Sequence, residues 1–141
     1  MAVIVELADS VVSELNGTGF SQPFTAVRQF LPLYNLPQLK TLTVTVVPKG
    51  TTIETKARNA SQHDVDIDIA IQQKLANTET ATIDPLMTLV EEIADHFRFK
   101  RLSSPSAIWI RTENEPVFAQ EHLDQYRVFT SVLTLTFRLL R

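Results

Sequence analysis

The chain has 141 residues, of which 44% are hydrophobic, and its formal net charge is −3, so it suits one domain with one packed core and lacks the basic surface that duplex binding requires. It contains no cysteine, which excludes disulfides and thiolate metal sites. The first residues, interrupted by Glu6 and Asp9, do not resemble a signal peptide, and no apolar run approaches the roughly 20 residues of a membrane helix. We therefore expect one soluble domain over residues 1–141.

The N-terminal segment has the periodicity of a helix. Its apolar residues recur three and four positions apart: Ile4, Leu7, Ala8, Val11, Val12 and Leu15. Asn16 and Gly17 supply a stop, with Gly17 expected in the left-handed conformation. The sequence predicts a helix over residues 3–16.

Two extended segments follow this helix. Residues 24–34 predict a strand that Pro32 ends or places at a sheet edge, and residues 35–40 predict a loop. Residues 41–47 alternate between apolar residues and threonine, and the turn chemistry of Pro48-Lys49-Gly50 predicts that the strand closes there. Residues 51–58 alternate weakly and carry mixed charge, so we expect an exposed arm or strand that forms a hairpin through a turn near residues 59–61.

The clearest strand pattern lies in residues 62–75. Large apolar residues occupy every second position, namely Val65, Ile67, Ile69 and Ile71. The positions between them hold acidic, amide or small residues, namely Asp64, Asp66, Asp68, Ala70 and Gln72. A two-residue period gives one apolar and one polar face. A strand of this kind is typical of an antiparallel sheet with one covered face.

The second half of the chain predicts a helix and two more strands. Residues 84–99 fit the amphipathic template, with Asp84 as the N-cap and Pro85 at the first helical position, after a polar loop over residues 76–82. Residues 107–112 predict a short strand between a serine-rich loop and a turn at residues 113–116. A single helical turn is expected over residues 119–125, and a long strand from about Arg127 to Leu139.

These elements predict an α+β fold. Strands and helices do not alternate regularly, which argues against a doubly wound parallel sheet. We expect a single, largely antiparallel sheet of about six strands, with two helices packed on one face.

Catalytic and metal-binding patterns are weak. The glycines do not form a phosphate-binding loop, since Gly17-Thr18-Gly19 follows a helix, and the three histidines (His63, His96 and His122) are scattered. Glu113 and Glu115, with Trp109 near them in sequence, offer a glycosidase-like carboxylate pair, but a polar turn beside a packed tryptophan is the favoured interpretation. We expect no cofactor and no enzymatic activity, and a small hydrolase stays the lesser alternative.

The three aspartates of the central strand carry a second open question. Asp64, Asp66 and Asp68 project from one strand face at intervals of about 7 Å. A solvent-exposed face is the simpler interpretation. The alternative is a surface that repels a polyanion, which gains weight if the protein forms a ring around DNA.

Six segments together resemble the tail-terminator and tail-completion (neck) proteins of tailed bacteriophages, which are often encoded in prophages. They are residues 30–36 followed by 42–48, then 62–74, 89–95, 112–118 and 128–138. The resemblance covers most of the chain as a succession of strand and helix patterns and includes no invariant catalytic motif.

The resemblance implies a structural virion protein. Such subunits form a ring, commonly of six copies, which caps the tail tube and joins it to the head. The implied partners are further copies of the chain, the tail tube protein and the head-completion or connector protein, with DNA only as passing cargo and no membrane. The implied location is the virion neck, and the host bacterial cytoplasm during assembly. Another minor tail or tube-like component is the alternative.

Within such a ring, two sets of residues become candidates. The acidic strand face of Asp64, Asp66 and Asp68 is a candidate for the channel wall. The segment 49–61, called the arm below, is a candidate for contacts with a neighbouring subunit through Lys49, Thr52, Glu54, Lys56 and Arg58.

Overall fold

The computed structural model describes residues 2–30, 41–77, 79–103, 106–114, 117–118, 121, 123 and 127–140. Its elements, in chain order, are α1 (Val3–Asn16), β1 (Ala26–Arg28), β2 (Thr43–Ala57), β3 (Ala60–Lys74), α2 (Thr80–Phe97), β4 (Arg101–Ser103), β5 (Ser106–Glu113) and β6 (Val128–Leu140). The described strands form one sheet in the order β1-β2-β3-β6-β5-β4. Only β1 and β2 pair in parallel. The predicted α+β class is confirmed.

Both helices cover the same face of the sheet. The odd-numbered residues of β3 from Val65 to Ile71 are buried there, as the alternation predicted. They belong to one core with residues of α1 such as Leu7 and of α2 such as Phe97. The Phe97 ring meets Phe137 of β6 edge to face, with centroids 6.4 Å apart. Each large apolar side chain buried in this way contributes about 1.5–3 kcal/mol before conformational entropy is subtracted.

The β2–β3 hairpin is longer than the sequence indicated. The predicted end of the strand at Pro48-Lys49-Gly50 is wrong, since β2 continues to Ala57 with a register irregularity between Pro48 and Gly50. Proline has no N–H for the ladder, and a bulge accommodates that loss without ending the strand. The expected turn is present at residues 58 and 59.

The ends of the helices also differ from expectation. Helix α2 begins at Thr80, so Asp84 is not its N-cap and Pro85 lies inside the helix. The side-chain oxygen Oδ1 of Asn77 accepts hydrogen bonds from the Glu79 N–H at 3.0 Å and from Thr82 Oγ1 at 2.7 Å, and thereby orders this earlier start. Helix α2 ends at Phe97 rather than at residue 99.

The end of α1 also departs from its predicted geometry. Gly17 has φ −87° and is not left-handed, and its N–H donates to the Ser13 carbonyl at 2.9 Å. Among the described glycines none has a positive φ. Hydrogen bonding to the last turn therefore ends this helix without a left-handed residue.

The remaining strands follow the prediction in part. β5 and β6 correspond to the predicted strands at residues 107–112 and 127–139, whereas β4 was not predicted and forms a short hairpin with β5. The strand expected over residues 24–34 is present as Ala26–Arg28. Residues 31–40, and most of the turn expected over 119–125, lie outside the described residues. In the described chain, no helix is long and apolar enough to cross a membrane.

Candidate functional site: the acidic face and the arm

The acidic face is the side of the sheet that points away from the helices. Asp64, Asp66 and Asp68 lie on it because they alternate along β3 with the buried apolar residues. Strand β6 pairs with β3 in a register that sets these aspartates opposite Arg138, Thr136 and Thr134, respectively. The predicted common face of the three carboxylates is therefore present.

Each of these carboxylates accepts a hydrogen bond from its partner across the strands. Thr134 Oγ1 donates to Asp68 Oδ1 at 2.7 Å. Thr136 Oγ1 donates to Asp66 Oδ1, also at 2.7 Å. This regular pairing holds the aspartate side chains in place along the sheet, although all three are only half-buried.

Arg138 makes a two-pronged contact with Asp64. Its Nε donates to Oδ1 at 2.8 Å and its Nη2 donates to Oδ2 at 3.1 Å. These hydrogen bonds hold the pKa of Asp64 below its usual value, against the opposing effect of burial. They also raise the pKa of Arg138, and the charge of Glu54 acts in the same direction. One of the three acidic charges is thus balanced within the chain.

Sequence patterns identified these aspartates but missed their partners. The order Thr134-x-Thr136-x-Arg138 mirrors Asp68-x-Asp66-x-Asp64, which is the arrangement that an antiparallel pairing brings together. The matching periods were visible in the sequence. The register was not, because the connection between β3 and β6 contains a helix and two strands.

The arm extends past the part of the sheet that the helices cover. Among the described strands, β1 pairs with β2 only at residues 44–46, so the outer edge of Gly50–Ala57 has no partner strand. Residues 51–57 are all exposed, and the Ile53 side chain is 60% exposed. The arm buries little within its own chain and presents open backbone groups along its edge.

The charged residues predicted for the arm fall into two groups. Glu54 and Thr52 lie opposite Gln62 and Asp64 of β3, so they extend the acidic face. Lys49, Lys56 and Arg58 have no ion-pair partner among the described residues. The arm therefore offers free positive charges beside an exposed apolar residue.

The carboxylate pair proposed for a hydrolase is not assembled within the described residues. Glu113 is exposed and pairs with Arg111 on its own strand at 3.3 Å, and Glu115 lies outside the described part. A bulge between Trp109 and Arg111 sets Trp109 opposite Phe137 on the helix side, whereas Glu113 lies opposite Thr134 on the acidic face. The tryptophan ring is therefore on the other side of the sheet from Glu113.

The histidines have structural contacts. His63 Nε2 lies 2.9 Å from Ser61 Oγ in the hairpin, and His96 Nε2 lies 3.1 Å from Glu14 Oε1 between the two helices. His122 lies outside the described part. The described residues contain no group of His, Asp and Glu suited to a metal ion. In the Gly17-Thr18-Gly19 segment, the hydroxyl of Thr18 donates to the Glu14 carbonyl at 2.8 Å, as expected at the end of a helix.

No protein-family model matches the chain, and no curated protein matches it. Two features of its described surface are available for contacts with other molecules. One is the acidic face, whose carboxylates are fixed by β6, and the other is the arm, with its open edge and unpaired cations.

Proposed function

We propose that the protein is a structural subunit of the tail-terminator type, which assembles into a ring of about six copies at the head-proximal end of a phage tail. The ring caps the tail tube and joins the tail to the head. The observation that carries this proposal is the arm, whose residues 51–57 are exposed and whose outer edge has no partner among the described strands.

An unpaired strand edge of this length is a liability for a protein unless another strand or chain covers it. Proteins that act alone shorten, cover or twist such edges, because unpaired N–H and C=O groups recruit other strands. The arm lies at the β2 edge of the sheet, whereas β4 and β5 form the opposite side. A contact that runs from one edge of a subunit to the opposite edge of the next is heterologous, and it closes into a ring when the rotation per subunit is fixed.

The acidic face gives the proposed ring a function toward DNA. In this arrangement Asp64, Asp66 and Asp68 line the channel, where carboxylates repel the phosphates of passing DNA. The hydrogen bonds from Thr134 and Thr136 favour this role, since they hold the uncompensated carboxylates of Asp68 and Asp66 in place, whereas Arg138 balances the charge of Asp64. DNA is then cargo and not a ligand.

The proposed partners follow from the position of the ring. One ring surface meets the tail tube protein, and the opposite surface meets the head-completion or connector protein. The protein would reside in the neck of the virion, after assembly in the host bacterial cytoplasm.

Loss of the protein from its phage tests this function. Without it, heads and tails should accumulate unjoined, and negative-stain images of the purified protein should show single rings. Stacked tubes would favour the alternative, a tube-like tail component. Normal joined particles in its absence would contradict the proposal.

A further inference from the structure

A groove runs beside α2 on the side of the molecule opposite the arm. Two adjoining cavities of about 260 and 540 Å³ form it and share Val90, Glu91 and Asn114 as lining residues. We call it the α2–β5 groove. Its floor is largely apolar and includes Ala94, Trp109 and Leu133.

The groove has an acidic rim. Asp84, Glu91 and Asp95 lie on one face of α2 at positions i, i+7 and i+11, and all three are exposed. Asp84 and Glu91 have no ion-pair partner among the described residues, and Asp95 makes only a long contact of 3.9 Å with Arg98. Asp84 and Glu91 therefore leave negative charge uncompensated on the rim, although Arg98 also lines the groove, and the cations of the arm have no partner among the described residues.

Phe99, which contacts Trp109 of the groove, has an unfavourable backbone conformation and an exposed ring. Phe99 has φ 61°, in the left-handed region that few residues with a side chain adopt, and its ring is 82% exposed. Its only ring contact among the described residues is an edge contact with Trp109 at 5.4 Å. Phe99 lies in the turn that ends α2, where the Lys100 N–H donates to the Phe97 carbonyl at 3.0 Å, and this turn leaves its ring open to a partner.

The open edge of β5 lies along the same groove. Strand β4 pairs with β5 only at residues 106–108, so among the described strands the outer edge from residue 110 to Glu113 is unpaired. The rim from Asp84 to Asp95 is about 16 Å long, which matches roughly five residues of extended strand. The exposed part of the arm is long enough to fill it.

We propose that the arm of one copy docks in the α2–β5 groove of the next copy. Lys56 and Arg58 then face the acidic rim, and Ile53 covers the apolar floor near Phe99 and Trp109. This inference rests on the proposed ring and names the two surfaces that join its subunits. Because the two surfaces lie on opposite sides of one chain, neither is satisfied by a simple two-fold dimer.

A groove of similar size beside α1 fits the arm less well. It lies between α1 and β4, has a volume of about 480 Å³ and includes Glu6, Asp9, Glu14 and Arg101. Asp9 is paired with Arg28 at 2.7 Å and Glu14 with Lys100 at 2.8 Å. Its acidic charges are therefore largely compensated, and no aromatic ring lines it.

Engineered cysteines test the docking directly, because the chain has no cysteine of its own. Four variants pair Ile53→Cys or Thr55→Cys in the arm with Ala94→Cys or Thr112→Cys in the groove. Mild oxidation should convert at least one of them into a ladder of covalent oligomers that ends at the size of the closed ring. Ile53→Cys with Ser13→Cys, in the α1–β4 groove, is the matched control and should not form a ladder.

Charge reversal tests the same contact without a cross-link. K56E/R58E and E91K/D95K should each raise the concentration needed for half-assembly by at least about tenfold, and the chain that carries all four changes should recover assembly. Circular dichroism checks that each variant is folded. All the changed residues are exposed, so each should keep its fold.

The outcomes separate this inference from the proposed function. If the wild-type protein forms rings but no cysteine pair gives a ladder and neither charge reversal weakens assembly, the docking is wrong and the ring stands. If Ile53→Cys alone gives efficient disulfide dimers, two arms meet each other and the docking is wrong. A wild-type protein that stays monomeric overturns both.

Discussion

Arg138 on β6 lies directly opposite Asp64 on β3 and donates two hydrogen bonds to its carboxylate, at 2.8 and 3.1 Å. The contact makes the stability of the sheet depend on pH. The pKa of Asp64 is lower in the folded protein than its ordinary value of 3.8, chiefly because of the hydrogen bonds from Arg138. The stabilisation is therefore complete above the ordinary pKa and is lost as the pH falls through the folded pKa.

Urea unfolding of the wild type and Asp64→Asn, at one protein concentration and a series of pH values from 7 to 3, measures this effect. The difference in free energy of unfolding should be constant near neutral pH and should shrink below a pH of about 4. In an Arg138→Met background the same comparison should lose its pH dependence. A difference between wild type and Asp64→Asn that is the same at all pH values would show that Arg138 does not lower the pKa.

The threonine hydroxyls of β6 stabilise the protein through their hydrogen bonds to the aspartates of the acidic face. Thr136 is 1% exposed and donates to Asp66, so Thr136→Val removes a hydrogen bond while keeping the shape of the side chain. We expect a loss of about 0.5–1.5 kcal/mol in the free energy of unfolding. Thr52→Val, on an exposed position of the same face, is the control and should change it by less than about 0.5 kcal/mol. Equal effects of the two substitutions would argue against the hydrogen bond.

The start of α2 is ordered by Asn77, two residues before the N-cap residue Glu79, and not by the predicted cap Asp84. Asn77 Oδ1 accepts two hydrogen bonds at the beginning of the helix, whereas Asp84 lies within it. Asn77→Ala removes both hydrogen bonds and should destabilise the protein by about 0.5–1.5 kcal/mol, and Asp84→Ala should leave its stability almost unchanged. Thermal unfolding of both variants measures this, and the opposite ranking would show that Asn77 does not order the start of α2.

The charge of the acidic face should affect the delivery of DNA and not the assembly of particles. Replacing Asp64, Asp66 and Asp68 with Asn removes three carboxylates, of which Arg138 already balances the first, and keeps oxygen atoms that accept hydrogen bonds from Thr134 and Thr136. In a complemented phage, this triple variant should form particles normally but deliver DNA more slowly, since the channel no longer repels the phosphates. Glu6→Gln with Glu79→Gln, two exposed residues outside both the acidic face and the α2–β5 groove, controls for the loss of charge elsewhere. Unchanged delivery by the triple variant would remove the acidic face from the channel wall.

Periodicity was sufficient for the main elements of the fold. The strict alternation around Ile67 and the helical spacing of Leu89 and Ile93 led to the correct faces, because burial of one side dominates such segments. Turn chemistry was less informative. Pro48 and Gly50 looked like a turn. Strand β2 nevertheless continues past them, because it pairs with β3 on both sides of the bulge.

The candidate site could be predicted only in part. Asp64, Asp66 and Asp68 share a face, as the sequence predicted, but which residues partner them depends on the register with β6. The α2–β5 groove was not predicted. Its floor joins Ala94 to Trp109 and Leu133, which are distant in the sequence and meet only when the helix packs on the sheet. The exposure of Phe99 likewise depends on a local left-handed backbone that no periodic pattern indicates.

If the chain works as an assembled ring, native mass spectrometry of the purified protein will show that ring. The purified protein, sprayed at tens of micromolar, should give one dominant closed species whose mass is a whole multiple of 15.9 kDa, with six copies expected. In the K56E/R58E variant, smaller species should replace this ring. A wild-type spectrum that contains only the 15.9 kDa monomer at that concentration would contradict the ring.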